Sequence, residues 1–191
     1  HDNRTTFSKV FPNVMFDTNG FLQSKVSLDR CEILCLDTLQ YPKSSFNKNV
    51  GFLCEKRLAW LDRELRAAKQ KKVIIFMHHP AFPVGFKAMD DIRLLNEKSF
   101  FSILDDSNNV VHLISGHIHR TISGYVNGYG FTIFKSTCHQ MPMQCESENV
   151  KLSTVEPGAY GIIFISREGV IVHTEDFELQ EKNKKTFDTY N

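Results

Sequence analysis

Two short apolar runs, each placed after a segment with helical periodicity, constrain the fold of this chain more than any other feature. Residues 73–77 (VIIFM) and 110–114 (VVHLI) are almost wholly β-branched, aliphatic or aromatic, which predicts strands buried on both faces. Before the first run, apolar residues recur at helical spacing over 54–68. A helix that leads into a fully buried strand indicates a parallel α/β layer.

Before the second run, an amphipathic helix is predicted over 91–104, with Ile92, Leu95 and Phe100 among its inward positions. Residues 31–38 (CEILCLDT) predict a further buried strand, whereas residues 7–27 are too irregular to assign.

The second half of the chain changes character. Residues 122–126 and 131–134 flank Asn127 and Gly128, a favoured hairpin turn, and residues 160–165 and 170–177 flank a second turn. We therefore predict the α/β class, specifically a mixed α/β sandwich within one domain.

Composition excludes several function classes. The chain has 191 residues with a formal net charge of +1, which gives no bias towards a nucleic acid polymer or an anionic membrane. No apolar stretch reaches membrane-spanning length, and there is no signal-peptide core. Five thinly spread cysteines argue against a disulfide framework and favour a reducing, cytoplasmic location. Cys138, His139 and Cys145 lack the spacing of a structural zinc site.

Histidines stand at the ends of both central strands. His78 and His79 follow the strand over 73–77, and His117 and His119 follow the strand over 110–114. Ligands gather beyond the carboxyl ends of parallel strands, so these imidazoles are expected to meet at one metal site. In an extended segment, His117 and His119 would project to the same side. The histidines inside strands, His112 and His173, are interpreted as structural.

These residues carry a family resemblance. Met77-His78-His79-Pro80 and Ser115-Gly116-His117-Ile118-His119 resemble the fourth and fifth motifs of calcineurin-like metallophosphoesterases, and the opening His1-Asp2-Asn3-Arg4 resembles the end of their third motif. Trp60-Leu61-Asp62 and the segment 136–140 (STCHQ) are more narrowly similar to class III cyclic-nucleotide phosphodiesterases and their glycerophosphodiesterase relatives. The similarity runs from residue 1 to about 177, which we take as part of one domain of the metallophosphoesterase type. Residues 178–191 are predicted to form a polar tail.

The resemblance implies a site with two divalent cations, Fe, Mn or Zn. His78 and His117 would hold one metal and His119 the other, while His79 would take a supporting or substrate-side role. His1, oriented by Asp2, would contact the phosphate and protonate the leaving oxygen. The cations would activate a bridging water for in-line attack on phosphorus. Asn96 and His139, with Gln140, are candidates for a base pocket, and the substrate-binding set is completed by His1, His79 and His119.

The first two family motifs, D-x-H and G-D-x-x-D, do not occur in the chain, and we expect it to be the C-terminal portion of a longer protein that lacks the first strands and helices of the fold. Three histidines shared between two cations leave both undercoordinated, so the chain alone is expected to be inactive or to bind metal weakly. Such a chain would expose a sheet edge and an apolar face, which its missing part or a homodimer would cover.

Three hypotheses about function remain open. The first is a phosphodiesterase that opens a 3′,5′-cyclic nucleotide such as cAMP to the 5′-monophosphate. The second keeps the site but acts on glycerophosphodiesters or a phosphomonoester, and the third is a truncated, non-catalytic binding or assembly module. A serine or cysteine hydrolase is disfavoured because no G-x-S-x-G motif occurs.

Overall fold

The computed structural model describes residues 3–14, 16–40 and 49–177. The elements follow one another as α1 (Arg4–Val10), β1 (Ser24–Ser27), β2 (Cys31–Leu36), α2 (Glu55–Ala68), β3 (Lys72–Met77), α3 (Lys87–Asp90), α4 (Glu97–Asp105), β4 (Val110–Ser115), β5 (Ile122–Val126), β6 (Tyr129–Ile133), β7 (Ala159–Ile165) and β8 (Val170–Asp176). The polar tail predicted over 178–191 lies outside the described residues.

One six-stranded sheet organises the molecule, in the order β1-β2-β3-β4-β6-β5. The four inner strands are parallel, and the edge strands β1 and β5 run antiparallel to their neighbours. Hairpin β7-β8 forms a separate two-stranded sheet. The predicted α/β class is confirmed, as are the buried strands and both hairpins.

The central sheet is covered on both faces. One face packs against α2 and α4 through Leu61, Leu65, Phe100 and Leu104, all at most 2% exposed. The other face buries Cys31, Ile74 and Ile114 against the hairpin β7-β8. This arrangement is the mixed α/β sandwich that the sequence predicts.

The outer face of hairpin β7-β8 is apolar and open to solvent in the described part of the chain. Tyr160, Ile162, Phe164 and Ile171 alternate with inward residues and are each about half exposed, at 48–59%. Apolar patches of this kind are uncommon on an isolated soluble domain.

Two predictions about elements are corrected. The helix predicted over 91–104 exists only from Glu97 to Asp105. The side chain of Asn96 accepts a hydrogen bond from the Leu53 amide at 3.0 Å and donates one to the Leu53 carbonyl at 2.7 Å. The residues before Asn96 therefore run alongside residues 51–53 and do not form a helix. Leu95, predicted to be buried, is 48% exposed.

The unassigned segment 7–27 contains the end of α1 and all of β1. The side chain of Asn3 accepts a hydrogen bond from the Thr6 amide at 3.1 Å, which caps and starts α1. Within the described residues, no helix is long and apolar enough to cross a membrane.

Candidate metal centre

The parallel pairing of β3 and β4 brings the histidine motifs together. Met77 lies opposite Ser115 in the register, so both strands end at the same level and His78 and Gly116 follow side by side. The Gly116 amide donates to the His78 carbonyl at 3.2 Å, which extends the pairing one residue beyond the strands. The next residue on the second strand is His117, whose side chain therefore reaches the His78 ring.

His78 and His117 form the centre of the site. His78 Nε2 lies 3.2 Å from His117 Nδ1. Metal–imidazole bonds of about 2.0–2.1 Å would separate two ligand nitrogens on one cation by about 2.9–3.4 Å for octahedral to tetrahedral angles. The observed spacing fits this range, and imidazole is a ligand that Zn, Fe and other transition metals prefer. These two residues therefore fit the implied cation.

The backbone that carries the second motif is left-handed at both histidines. His117 has a φ of 72° and His119 a φ of 57°, which are unusual values for residues other than glycine. Between them, Ile118 is fully buried, and its amide donates to the Gly116 carbonyl at 2.8 Å. The segment is thus a tight bend instead of the extended strand that the sequence suggested. Strained backbone of this kind is typical of functional sites.

His79 is wholly buried, and both of its ring nitrogens have protein partners. Nε2 lies 3.0 Å from the Asn49 carbonyl and must donate to it, so in the neutral ring Nδ1 accepts from the Thr38 hydroxyl at 2.7 Å. His79 is one of three side chains, with His78 and His117, whose potential ligand atoms lie within 4.8 Å of one another. Its two hydrogen bonds suit a supporting residue better than a ligand.

Burial keeps the three clustered imidazoles neutral. It lowers the pKa of His78 to about 3, that of His117 to about 2 and that of His79 to about 4. Burial also lowers the pKa of His119. Neutral imidazole is the form that binds a metal ion, so the site needs no proton release at physiological pH.

His119 is oriented by the loop that joins β6 and β7. Its Nδ1 lies 3.0 Å from the His139 carbonyl and donates to it, which leaves Nε2 as the ring's lone-pair nitrogen in the neutral form. The Met141 amide donates to the His119 carbonyl at 3.2 Å, and Arg120 Nη1 donates to the Met141 carbonyl at 2.7 Å. Carbonyl partners of this kind fix the orientation of metal-binding histidines.

A cleft of about 390 Å³ opens beside these histidines. Its polar lining residues include His117, His119, His139 and Asn49. The rest of the lining consists of apolar residues and one lysine: Met89, Ile92, Met141, Val150, Lys151 and Leu152. His117 and His119 thus face one cleft, although the intervening backbone is bent.

A buried ion-pair cluster next to the site escaped the sequence analysis. Asp37 follows strand β2, and its carboxylate accepts hydrogen bonds from Arg4 Nε at 2.5 Å and from Arg4 Nη2 at 2.7 Å. Arg57 Nη1 lies 3.6 Å from Asp37 Oδ1. Burial alone would raise the pKa of Asp37, but hydrogen bonds from Arg4 and the Leu22 amide outweigh it and lower that pKa. The sequence feature that could have indicated this cluster is an acidic residue, Asp37, at the carboxyl end of a buried strand.

The remaining predicted residues are placed differently. His1 and Asp2 lie outside the described residues. The Asn96 side chain is engaged with Leu53 and is not among the residues that line the cleft. Cys138 Sγ lies 3.1 Å from His139 Nδ1, but no described group of three metal-ligating side chains includes them.

Comparisons with known proteins show which proteins this chain resembles in sequence. The chain is 33% identical to a probable cyclic nucleotide phosphodiesterase from Rhodopseudomonas palustris over 93% of its own length and 64% of the relative. It is 27% identical to a probable glycerophosphodiester phosphodiesterase from Arcobacter nitrofigilis over 91% of its length and 63% of that relative. The predicted resemblance to calcineurin-like metallophosphoesterases is confirmed. No protein-family model matches the chain.

The fold of this metallophosphoesterase-like chain is also found in solved structures. A dimetal phosphatase from Danio rerio superposes with a TM-score of 0.57 at 18% identity, covering 71% of this chain and 57% of the phosphatase. The likeness shows the fold, and the cluster of His78, His79 and His117 offers the ligand atoms that could hold a metal ion. The chain spans slightly less than two thirds of the two sequence relatives.

Proposed function

We propose that this protein hydrolyses a small phosphodiester with the help of divalent cations, and that its substrate is a 3′,5′-cyclic nucleotide opened to the 5′-monophosphate. The observation that carries the proposal is the His78–His117 pair, whose nitrogens lie 3.2 Å apart at the ends of adjacent parallel strands. The names of the sequence relatives, a probable cyclic nucleotide phosphodiesterase and a probable glycerophosphodiester phosphodiesterase, support this reaction class.

The cations, when bound, supply Lewis-acid stabilisation of the phosphoryl oxygens and activation of a water nucleophile. His78 and His117 would hold one cation and His119 Nε2 would face the other, in line with the family pattern. The neutral rings of His78 and His117 offer lone pairs without competition from protons near pH 7. His79 bonds to Thr38 and to the Asn49 carbonyl beside the site. We assign the donation of a proton to the leaving oxygen to His1, with Asp2 as the residue that orients it.

The protein expressed from its natural gene provides the test. After loading with Mn²⁺, Fe²⁺ or Zn²⁺, it should convert cAMP to AMP, and His117→Ala should lower kcat/KM by about 10²-fold or more. His173→Ala is the matched control, because His173 is exposed on β8 away from the cluster. Loss of activity to the same extent in both variants would contradict the assignment.

The alternatives are separated by the same assay. Faster turnover of glycerophosphodiesters or of p-nitrophenyl phosphate than of cAMP would favour the second hypothesis. Metal binding without turnover of any phosphoester would favour the non-catalytic module. The same assay on chain 1–191 tests the expected inactivity of the chain alone.

Cellular location and assembly stay predictions. All five cysteine thiols are free, which agrees with the reducing, cytoplasmic compartment that we propose. Sedimentation analysis of the natural protein would test whether a homodimer covers the open face of hairpin β7-β8.

A further inference from the structure

Arg120, the residue after His119, ties this histidine to the segment 139–141 of the loop between β6 and β7. Arg120 Nη1 donates to the Met141 carbonyl at 2.7 Å, and the Met141 amide donates to the His119 carbonyl at 3.2 Å. His119 Nδ1 donates to the His139 carbonyl at 3.0 Å. His119 and Arg120 together therefore make three hydrogen bonds to this segment.

A later part of the same loop also holds the segment 139–141. The Gln140 amide donates to the Thr154 carbonyl at 3.1 Å, and the Thr154 amide donates to the Gln140 carbonyl at 2.8 Å. Two residues beyond Thr154, Glu156 Oε1 lies 3.4 Å from Arg120 Nη1. Arg120 therefore contacts both the segment 139–141 and the part of the loop that pairs with it.

The ion pair of Arg120 continues to the end of hairpin β7-β8. Lys135 Nζ lies 3.7 Å from Glu156 Oε2 and donates to the carboxylate of Asp176, the last residue of β8, at 3.1 Å. Arg120 and Lys135 are only 19% and 14% exposed, and charges in such surroundings attract one another more strongly than at the open surface. The hairpin is thereby joined to the loop that orients His119.

The backbone held by these contacts has an unfavourable conformation. His119 has a φ of 57°, in the left-handed region that side chains disfavour. A residue keeps such a conformation only where its surroundings enforce it. The hydrogen bonds from Arg120 to Met141 and from Met141 to His119 act directly on this part of the chain.

We infer that Arg120 is a positioning residue for His119, and that it sets how tightly the cation of His119 is held. Its guanidinium holds Met141 and thereby the His139 carbonyl, so the His119 ring keeps one orientation with Nε2 available as a ligand. The inference rests on the proposed function, in which His119 is a metal ligand. Partners that orient a metal-binding histidine typically change the affinity of its site by about 10–100-fold.

Calorimetric titration of the natural protein with Mn²⁺ tests the role of Arg120. Arg120→Met keeps most of the side-chain length but removes every hydrogen-bond donor. It should weaken one class of Mn²⁺ site by about 10–100-fold and leave the other class unchanged. Glu156→Gln removes only the ion pair and covers the case in which Arg120→Met does not fold. It should weaken the same class of site by about two- to fivefold.

Arg93→Met is the matched control, because Arg93 has the same kinds of partner elsewhere in the chain. Arg93 Nη1 donates to the Asp90 carbonyl at 2.7 Å, and Arg93 Nη2 lies 3.5 Å from Glu97 Oε1. Arg93→Met should lower the urea concentration at half-unfolding about as much as Arg120→Met and leave both Mn²⁺ affinities unchanged. Equal weakening of Mn²⁺ binding in both arginine variants would show that any loss of stability lowers the affinity, and it would overturn the inference.

The remaining outcomes separate the role of Arg120 from the proposed function. Unchanged Mn²⁺ binding by Arg120→Met, in a protein that hydrolyses cAMP when unmodified, would overturn only the role of Arg120. Weakened Mn²⁺ binding by Arg120→Met, with no phosphoester hydrolysed by the unmodified protein, would support the role of Arg120 and overturn the proposed function. A natural protein that binds no Mn²⁺ would overturn both.

Discussion

At position 51 any side chain larger than hydrogen would collide with the ring of His79. A Cβ built on Gly51 would lie 2.6 Å from Cβ and 2.7 Å from Cγ of His79. His79 cannot move away, since Thr38 and the Asn49 carbonyl hold both of its nitrogens. The close approach of the backbone therefore requires glycine here.

Gly51→Ala is accordingly expected to lower the free energy of unfolding by about 1–3 kcal/mol, the usual effect of overpacking a buried site. Urea unfolding monitored by the fluorescence of Trp60 measures the change. Gly169→Ala serves as the control, because a Cβ there meets nothing within 4 Å. Equal free energies of unfolding for Gly51→Ala and Gly169→Ala would show that the surroundings of His79 accommodate a Cβ at position 51 without loss of stability.

The buried imidazoles give the metal-free protein a characteristic dependence of stability on pH. The pKa of His79 is about 4 in the folded protein, against about 6.5 in an unfolded chain. As the pH falls, the unfolded chain takes up the proton first. The neutral His79 ring therefore makes its full contribution to the free energy of unfolding above about pH 6.5. This contribution is lost as the pH falls from about 6.5 to about 4, and the free energy of unfolding then changes by at most about 1.4 kcal/mol per pH unit for this ring.

The measurement is urea unfolding in EDTA at several pH values between 7.5 and 4.5. His78 and His117 contribute in the same direction, because burial also lowers their pKa values. His79→Asn should flatten the slope, whereas His173→Asn, at an exposed position, should leave it unchanged. If the free energy of unfolding depends on pH to the same extent in both variants and in the unmodified protein, burial does not lower the pKa of His79.

At the scale of elements, a buried glutamine anchors the loop between β6 and β7. Gln140 is fully buried, accepts from the Ser136 amide at 3.0 Å and donates to the Ser136 carbonyl at 2.8 Å. Its backbone pairs with Thr154. This clamp positions the His139 carbonyl that orients His119.

Gln140→Ala leaves both Ser136 groups without their partner and is expected to cost about 1–3 kcal/mol of stability. Because the His119 ring loses its fixed orientation, one class of Mn²⁺ site should weaken by about 10–100-fold. Calorimetric Mn²⁺ titration gives the affinities independently of turnover. Gln144→Ala, on the exposed part of the same loop, should change neither property.

At the scale of the whole molecule, one buried carboxylate joins three elements. Asp37 lies at the end of β2 and is contacted by Arg4 from α1 and by Arg57 from α2, with all three side chains at most 11% exposed. Arg57 also donates to the Asp37 carbonyl at 2.6 Å and the Leu39 carbonyl at 3.0 Å. The cluster fixes α1 against the edge of the sheet where the carboxyl ends of the parallel strands meet.

Asp37→Asn removes a carboxylate charge that lies beside two buried guanidinium groups, and we expect it to cost about 3–5 kcal/mol. Thermal and urea unfolding measure the loss. Asp62→Asn breaks only the surface pair with Arg66 and should cost under about 1 kcal/mol. A small effect at Asp37 would show that water or other groups compensate the arginines.

The central strands and the clustering of histidines follow from local sequence alone. Apolar runs such as 73–77 can only be buried on both faces, and parallel strands bring their carboxyl ends to one edge, so His78 and His117 were predictable neighbours. The α2 helix followed equally from its periodicity, although burial of Arg57 on it did not.

Tertiary structure decided the features that depend on contacts distant in sequence. Only folding shows that Asn96 binds Leu53 and interrupts a helical pattern, that Asp37 has two arginine partners, and that Met89, Met141 and Leu152 converge on one cleft. Periodicity reports which face of an element is apolar, because that depends on neighbours along the chain. It carries no information on which distant polar group satisfies a buried charge or which loop closes a site, because those partners are chosen by packing in three dimensions.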